Sequence, residues 1–252
     1  MPYVSNAGVN IHYAVEGVGP PLVLLHGFTS SSESWRQYGY VKALRNNYRL
    51  IMPDARGHGA SDRPHERPAY AWDVRVSDIE AVIDDLDVES AHIWGYSMGG
   101  VYAFGLVRRA PARVRTAIIG GAHPYAASWS AFHGVDGTDP QVFLAALESF
   151  VGVLPPEVKA RVLNNDFQAL AAAAGDRESM EDVFAAITMP CLLYVGADDP
   201  RYALVKAAAT SIASSDFAVL AECGHVQTNM RSDLVLPHVN EFLKAASQRE
   251  TR

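Results

Sequence analysis

Short, uninterrupted apolar runs recur along this chain, separated by stretches with helical periodicity. Leu22-Val23-Leu24-Leu25 is the clearest run. A strand that is apolar on both faces must be covered on both faces, which places it inside a parallel sheet between layers of helices. Residues 48–52, 91–94, 116–119, 191–195 and 217–220 are further strand candidates. Residues 9–15 alternate and read as an early strand, followed by a turn over 16–21. Between the runs, residues 72–86 carry Val76, Ile79, Val82, Ile83 and Leu86 on one helical stripe, backed by Asp78, Asp84 and Asp85. Residues 101–110 form a helix ending before Pro111, and residues 234–247 form a last helix that closes in a polar, fraying tail. Strands alternating with helices define an α/β class, with a mostly parallel central sheet flanked by helices.

One region breaks this rhythm. Residues 124–187 offer no buried strand, only helix-like stretches over 141–151, 156–164 and 165–174 broken by Gly and Pro. Such an insertion between sheet strands reads as a helical cap. The expected organisation is a core of residues 1–122 and 188–252, with a cap of residues 123–187 inserted before the last two strands. A chain of 252 residues buries roughly 70–75% of its unfolded surface, so the core needs no disulfide or metal. The formal net charge of -7 argues against a nucleic-acid or anionic-membrane partner. Cys191 and Cys223 lack metal-ligand spacing and read as buried free thiols in a reducing compartment. No basic, apolar leader opens the sequence, and no run reaches the ~18 apolar residues of a membrane span. The expectation is a cytoplasmic protein; monomer and homodimer both stay open.

The motif richest in chemistry is Gly95-Tyr96-Ser97-Met98-Gly99-Gly100, between the strand over 91–94 and the helix that follows. A nucleophile raised on a sharp strand-to-helix turn is strained, and its flanking glycines avoid collisions across the turn. The helix N-terminus beneath it favours negative charge. An oxyanion also needs two preset N–H donors. Met98, beside the serine, supplies one, and Phe28, at the exit of Leu24-Leu25-His26-Gly27-Phe28-Thr29, supplies the other. His26 at that strand end reads as a hydrogen-bonding brace. Along the chain an acid and then a histidine follow the serine: Asp198 or Asp199 after one strand, and His225 after the last. All three converge on the C-terminal edge of the sheet, where open α/β sheets bind ligands. Their roles there would be nucleophile, tautomer-fixing acid and general base, with no metal or cofactor.

With these residues in place, the chain resembles the α/β-hydrolase superfamily, in its branch of small capped serine esterases, lactonases, carbon–carbon hydrolases and cofactor-free perhydrolases. The segment from Pro53-Asp54-Ala55-Arg56-Gly57-His58 to Gly59-Ala60-Ser61-Asp62 resembles a bracing loop of that family, and His58 is a minor candidate for a direct role. The family places its acid three residues after a strand-ending glycine, which from Gly196 points to Asp199, with Asp198 as the alternative. The chain departs from the family after His225: relatives often carry Glu-x-Pro a few residues on, whereas here Val226-Gln227-Thr228-Asn229-Met230-Arg231-Ser232-Asp233 intervenes. A serine at the elbow sets it apart from haloalkane dehalogenases and epoxide hydrolases, which use a carboxylate there.

Aromatic and apolar residues suggest the pocket. Trp35, Tyr96, His123, Trp129, Phe132 and Val226 are the substrate-binding candidates, with Phe28 and Met98 beside them; Tyr125 and His133 lie nearby in sequence. The resulting expectation is hydrolysis of a small-to-medium, mostly apolar carboxylic ester through an acyl-enzyme. Lactone, carbon–carbon and perhydrolytic chemistry share the same machinery. A ligand-sensing receptor with a retained triad is the rival from another class.

Overall fold

The computed structural model describes residues 2–213 and 215–250. Eight strands form one sheet: β1 (Tyr3–Asn6), β2 (Val9–Glu16), β3 (Pro21–Leu25), β4 (Arg49–Pro53), β5 (Ala91–Tyr96), β6 (Val114–Gly120), β7 (Cys191–Gly196) and β8 (Ser215–Leu220), in the spatial order β1-β2-β4-β3-β5-β6-β7-β8. The first two are antiparallel to their neighbours and the rest run parallel. The doubly apolar runs occupy the parallel part, buried on both faces except on the edge strand β8, where Val219 is exposed. The short β1 has no apolar run and escaped the sequence reading; only its pairing with β2 makes it a strand.

Alternation along each strand divides the core into two layers. Val23, Leu25 and Ile93 face a cluster with α3 (Trp72–Asp85), α4 (Met98–Arg109) and α8 (Tyr202–Ser211). Leu22, Leu24 and Trp94 face α1 (Glu33–Gln37), α2 (Tyr40–Leu44) and α10 (Ser232–Glu250). The last helix starts before the expected residue 234, continues through Pro237 and extends past 247; Thr251 and Arg252 of the polar tail lie outside the described residues. Both cysteines are free and buried. No helix among the described residues is long and apolar enough to cross a membrane.

Between β6 and β7 the chain leaves the sheet. It forms α5 (Pro140–Val151), α6 (Pro156–Val162) and α7 (Phe167–Ala173), with only an isolated bridge between Ala127 and Arg177. Asp139 and Asp166 cap α5 and α7 by accepting backbone N–H bonds, each worth about 1 kcal/mol. These helices share their own apolar cluster, including Phe132, Phe143, Leu147 and Phe167, which meets the core at Phe28, Val226 and Met230. The remaining helix, α9 (His225–Met230), follows β8.

Candidate active site

Parallel strands bring their C-terminal ends to one edge, and three exits from that edge build the site. At the first, β5 stops at Tyr96 and α4 begins at Met98, leaving Ser97 alone in the turn with φ 54° and ψ −114°. A positive φ at a residue with a side chain costs on the order of 1–3 kcal/mol and persists only where the surroundings hold it. Here the Ser97 N–H donates to the Gly120 carbonyl at 2.8 Å. The turn closes so tightly that a Cβ on Gly99 would sit 2.0 Å from the Leu25 carbonyl oxygen. One on Gly95 would sit 2.1 Å from the Gly99 carbonyl oxygen.

The second exit follows β7. Ala197 and Asp198 donate their N–H groups to the carbonyls of Leu220 and Cys223, tying this loop to the end of β8. Asp198 is exposed and Asp199 is buried. The third exit follows β8 and reaches His225, the first residue of α9. His225 Nδ1 lies 2.6 Å from Asp199 Oδ2, and its Nε2 lies 2.9 Å from Ser97 Oγ. A carboxylate accepts only, so Nδ1 carries the proton and Nε2 is free to accept from the serine hydroxyl. The Tyr96 hydroxyl donates to the His225 carbonyl and fixes the backbone behind the ring.

Electrostatics keep this imidazole neutral. Burial and then the nearby Arg201 guanidinium push the His225 pKa below its ordinary 6.5, against the pull of Asp199. Burial alone would raise the Asp199 pKa, but its hydrogen bonds from His225 and the Arg201 backbone hold it below the usual carboxylate range. Arg201 was not foreseen from sequence, although it stands two residues after the acid. Its backbone N–H also donates to Asp199 Oδ1 at 2.9 Å.

Phe28 and Met98 both border the same cavity as Ser97. His26 braces the Phe28 loop: its Nε2 accepts the Ala55 N–H at 3.0 Å, so Nδ1 donates to the Gly27 carbonyl at 2.8 Å. The loop over 53–62 is fixed by Arg56, whose guanidinium forks onto Asp78 at 2.6 and 2.7 Å. His58 donates from Nδ1 to the Arg56 carbonyl and packs its ring on Phe28 and His26. It does not border the cavity around Ser97.

That cavity, of about 540 Å³, lies between the sheet edge and the inserted helices. Tyr96, Met98, His123, Trp129, Val226 and Phe28 border it. Two pocket candidates do not. Trp35 is buried beneath the sheet, edge-on to Tyr40 and Trp94, because its position on α1 faces the core. Phe132 is buried among Phe28, Trp129 and Phe143, filling the interior of the inserted helices. His133 turns away as well and meets Asp176. Leu147, Phe150, Leu154 and Val158, on α5, α6 and the loop between them, supply apolar wall in their place.

Residues 20–183 match a family model described as the alpha/beta hydrolase fold. Among curated proteins, the chain is 34% identical over 119 residues to a cis-3-alkyl-4-alkyloxetan-2-one decarboxylase of Shewanella oneidensis, covering 46% of this chain and 37% of that protein. Such matches span only 37–40% of the first curated relatives' length. Among solved structures, an esterase of Rhodococcus sp. aligns with a TM-score of 0.83 at 28% identity, over 97% of this chain and 98% of that one. The enol-lactonase of Burkholderia xenovorans shares the fold with a TM-score of 0.84 at 22% identity, over 96% and 100%.

Proposed function

This chain belongs to the α/β-hydrolase family, and from that premise we propose that it is a serine hydrolase cleaving a carboxylic ester through an acyl-enzyme. The observation that carries the reading is the continuous chain from Ser97 Oγ through His225 to Asp199, with bonds of 2.9 and 2.6 Å. In this reading Ser97 Oγ attacks the ester carbonyl as His225 Nε2 takes its proton. The Phe28 and Met98 N–H groups receive the developing oxyanion, which is worth about 3–4 kcal/mol per donor in a dry, preset site. His225 then returns the proton to the leaving alkoxide, and Asp199 stabilises the imidazolium in between. Water enters the second half-reaction by the same route in reverse.

The walls from Phe28, Trp129, Leu147, Phe150, Leu154 and Val158 favour a small-to-medium organic group. The inserted helices over residues 123–187 act as the cap that closes over it. The likeness to a solved esterase supports ester as the substrate class, and lactone opening would use the same acyl-enzyme. Two buried, unbridged thiols agree with a reducing, cytoplasmic setting. A panel of 4-nitrophenyl esters and lactones, run on the intact protein and on Ser97→Ala, tests the reading. Turnover that vanishes in Ser97→Ala supports it, whereas turnover that survives the substitution overturns it.

A further inference from the structure

Five arginines border the cavity, and their partners divide them into two groups. Arg75 donates to the Tyr70 and Ala173 carbonyls, Arg108 pairs with Asp182, and Arg161 reaches Gln37 and the Tyr38 hydroxyl. These three hold the walls together. Arg177 makes no side-chain hydrogen bond or ion pair among the described residues, and its NH1 is buried without an acceptor. Arg201 lies over the Phe150 ring at 4.6 Å and is ion-paired with Asp199 Oδ1 at 3.7 Å, although its NH1 has no hydrogen-bond acceptor among the described residues. His123 Nδ1, on the same cavity, is a third buried polar atom without a partner.

Arg177, half-buried, is thus a guanidinium on this cavity that no carboxylate pairs among the described residues. Desolvated guanidiniums are normally paired, because an uncompensated buried charge is strongly destabilising. Here burial and repulsion from Arg201 lower the Arg177 pKa to about 10. Of the two carboxylates beside Arg177 in sequence, Asp176 is occupied by the Trp129 N–H and His133, and Glu178 is exposed. Neither is ion-paired with Arg177.

We propose that Arg177 and Arg201 form an anion subsite for a free carboxylate on the substrate, so that the preferred ester or lactone is itself an acid. The inference rests on the serine-hydrolase reading for the word substrate, while the subsite itself rests on both arginines bordering one cavity. Guanidiniums match planar, two-oxygen acceptors through paired N–H bonds, which favours a carboxylate here. Arg201 also stands beside Asp199 and His225, so the anion is received on the acid–base side of the cavity. Trp129, Leu147, Phe150 and Leu154 supply apolar wall on the same cavity, which suits a short hydrocarbon spacer between carboxylate and ester.

Two measurements test the subsite. The first needs no turnover: titration calorimetry of glutarate monoamide, which carries one carboxylate, and of the uncharged diamide glutaramide on the intact protein at low salt. The monoamide is expected to bind at least about ten-fold tighter, as for a hydrogen bond to a charged group, and Arg177→Met to abolish the difference. Equal binding, or a difference that survives Arg177→Met, overturns the proposal. The second compares kcat/KM for 4-nitrophenyl hydrogen glutarate and 4-nitrophenyl pentanoate, with the ratio expected above about ten in the intact protein and falling in Arg177→Met. A ratio of one or less overturns the subsite but leaves a Ser97-dependent esterase standing. Loss of both turnovers would instead strike the hydrolase reading while calorimetry still decides the subsite. Removing an unpaired guanidinium is also expected to raise the melting temperature of Arg177→Met, which a wall-bracing role would lower. Should that variant not fold, Arg177→Lys and the intact protein's own preference remain decisive.

Discussion

His225 Nδ1 meets Asp199 Oδ2 at 2.6 Å, while Asp198, one residue earlier, is turned to solvent with its N–H on the Cys223 carbonyl. The two adjacent carboxylates therefore make opposite predictions. Asp199→Asn should lower kcat by about 10³–10⁴-fold, because an amide can present a donor to Nδ1 and favour the wrong tautomer. Asp198→Asn should change kcat/KM by less than about three-fold, as for a surface site away from the chemistry. Steady-state ester hydrolysis by the two variants checks this, and a reversed order would reassign the acid.

The pH profile follows from the neutral imidazole. The base must be unprotonated, and burial with Arg201 pushes the His225 pKa below 6.5. Activity should therefore be level at neutral pH and fall only as pH drops below 6.5, with the limb of a single proton. Arg201→Gln removes the cation that helps to depress this pKa, so its acid limb should shift toward higher pH. A limb that stays in place would show that Arg201 does not act on His225.

Most of the sheet was legible because doubly apolar runs have few alternatives to burial, and the order of serine, acid and histidine placed Ser97 and His225 at one edge. Other features were not. Trp35 and Trp129 look alike in sequence, yet one faces the core from α1 and the other faces the cavity. Arg177 lies in a polar stretch after α7, where nothing local marks a charge that no carboxylate pairs among the described residues. Its significance depends on which other groups the fold brings near it, and that is a tertiary property.

The tight turn at Ser97 predicts a stability effect. In Gly99→Ala the new Cβ would meet the Leu25 carbonyl oxygen at 2.0 Å, and backbone on both sides cannot yield as a flexible side chain could. A loss of more than about 3 kcal/mol is expected by urea denaturation, or no folded protein at all. A loss below about 1 kcal/mol would mean that the strand and helix separate easily at this point.

Acid should destabilise the loop over 53–62 through His58. Burial and then the nearby His26 lower its pKa to about 3 from 6.5. The unfolded chain thus binds the proton more readily, so this contribution is fully present above pH 6.5 and is lost as pH falls toward about 3. Melting temperature should decline over that window, and His58→Gln should flatten the decline. An unchanged slope in the variant would assign the acid sensitivity elsewhere.

The central claim is that Ser97 is an activated nucleophile. Its most direct test is reaction of the intact protein with a fluorophosphonate, followed by mass mapping of the modified peptide. The account predicts a single covalent adduct on Ser97, suppressed in both Ser97→Ala and His225→Ala. An unmodified Ser97, in protein shown to be folded, would contradict it.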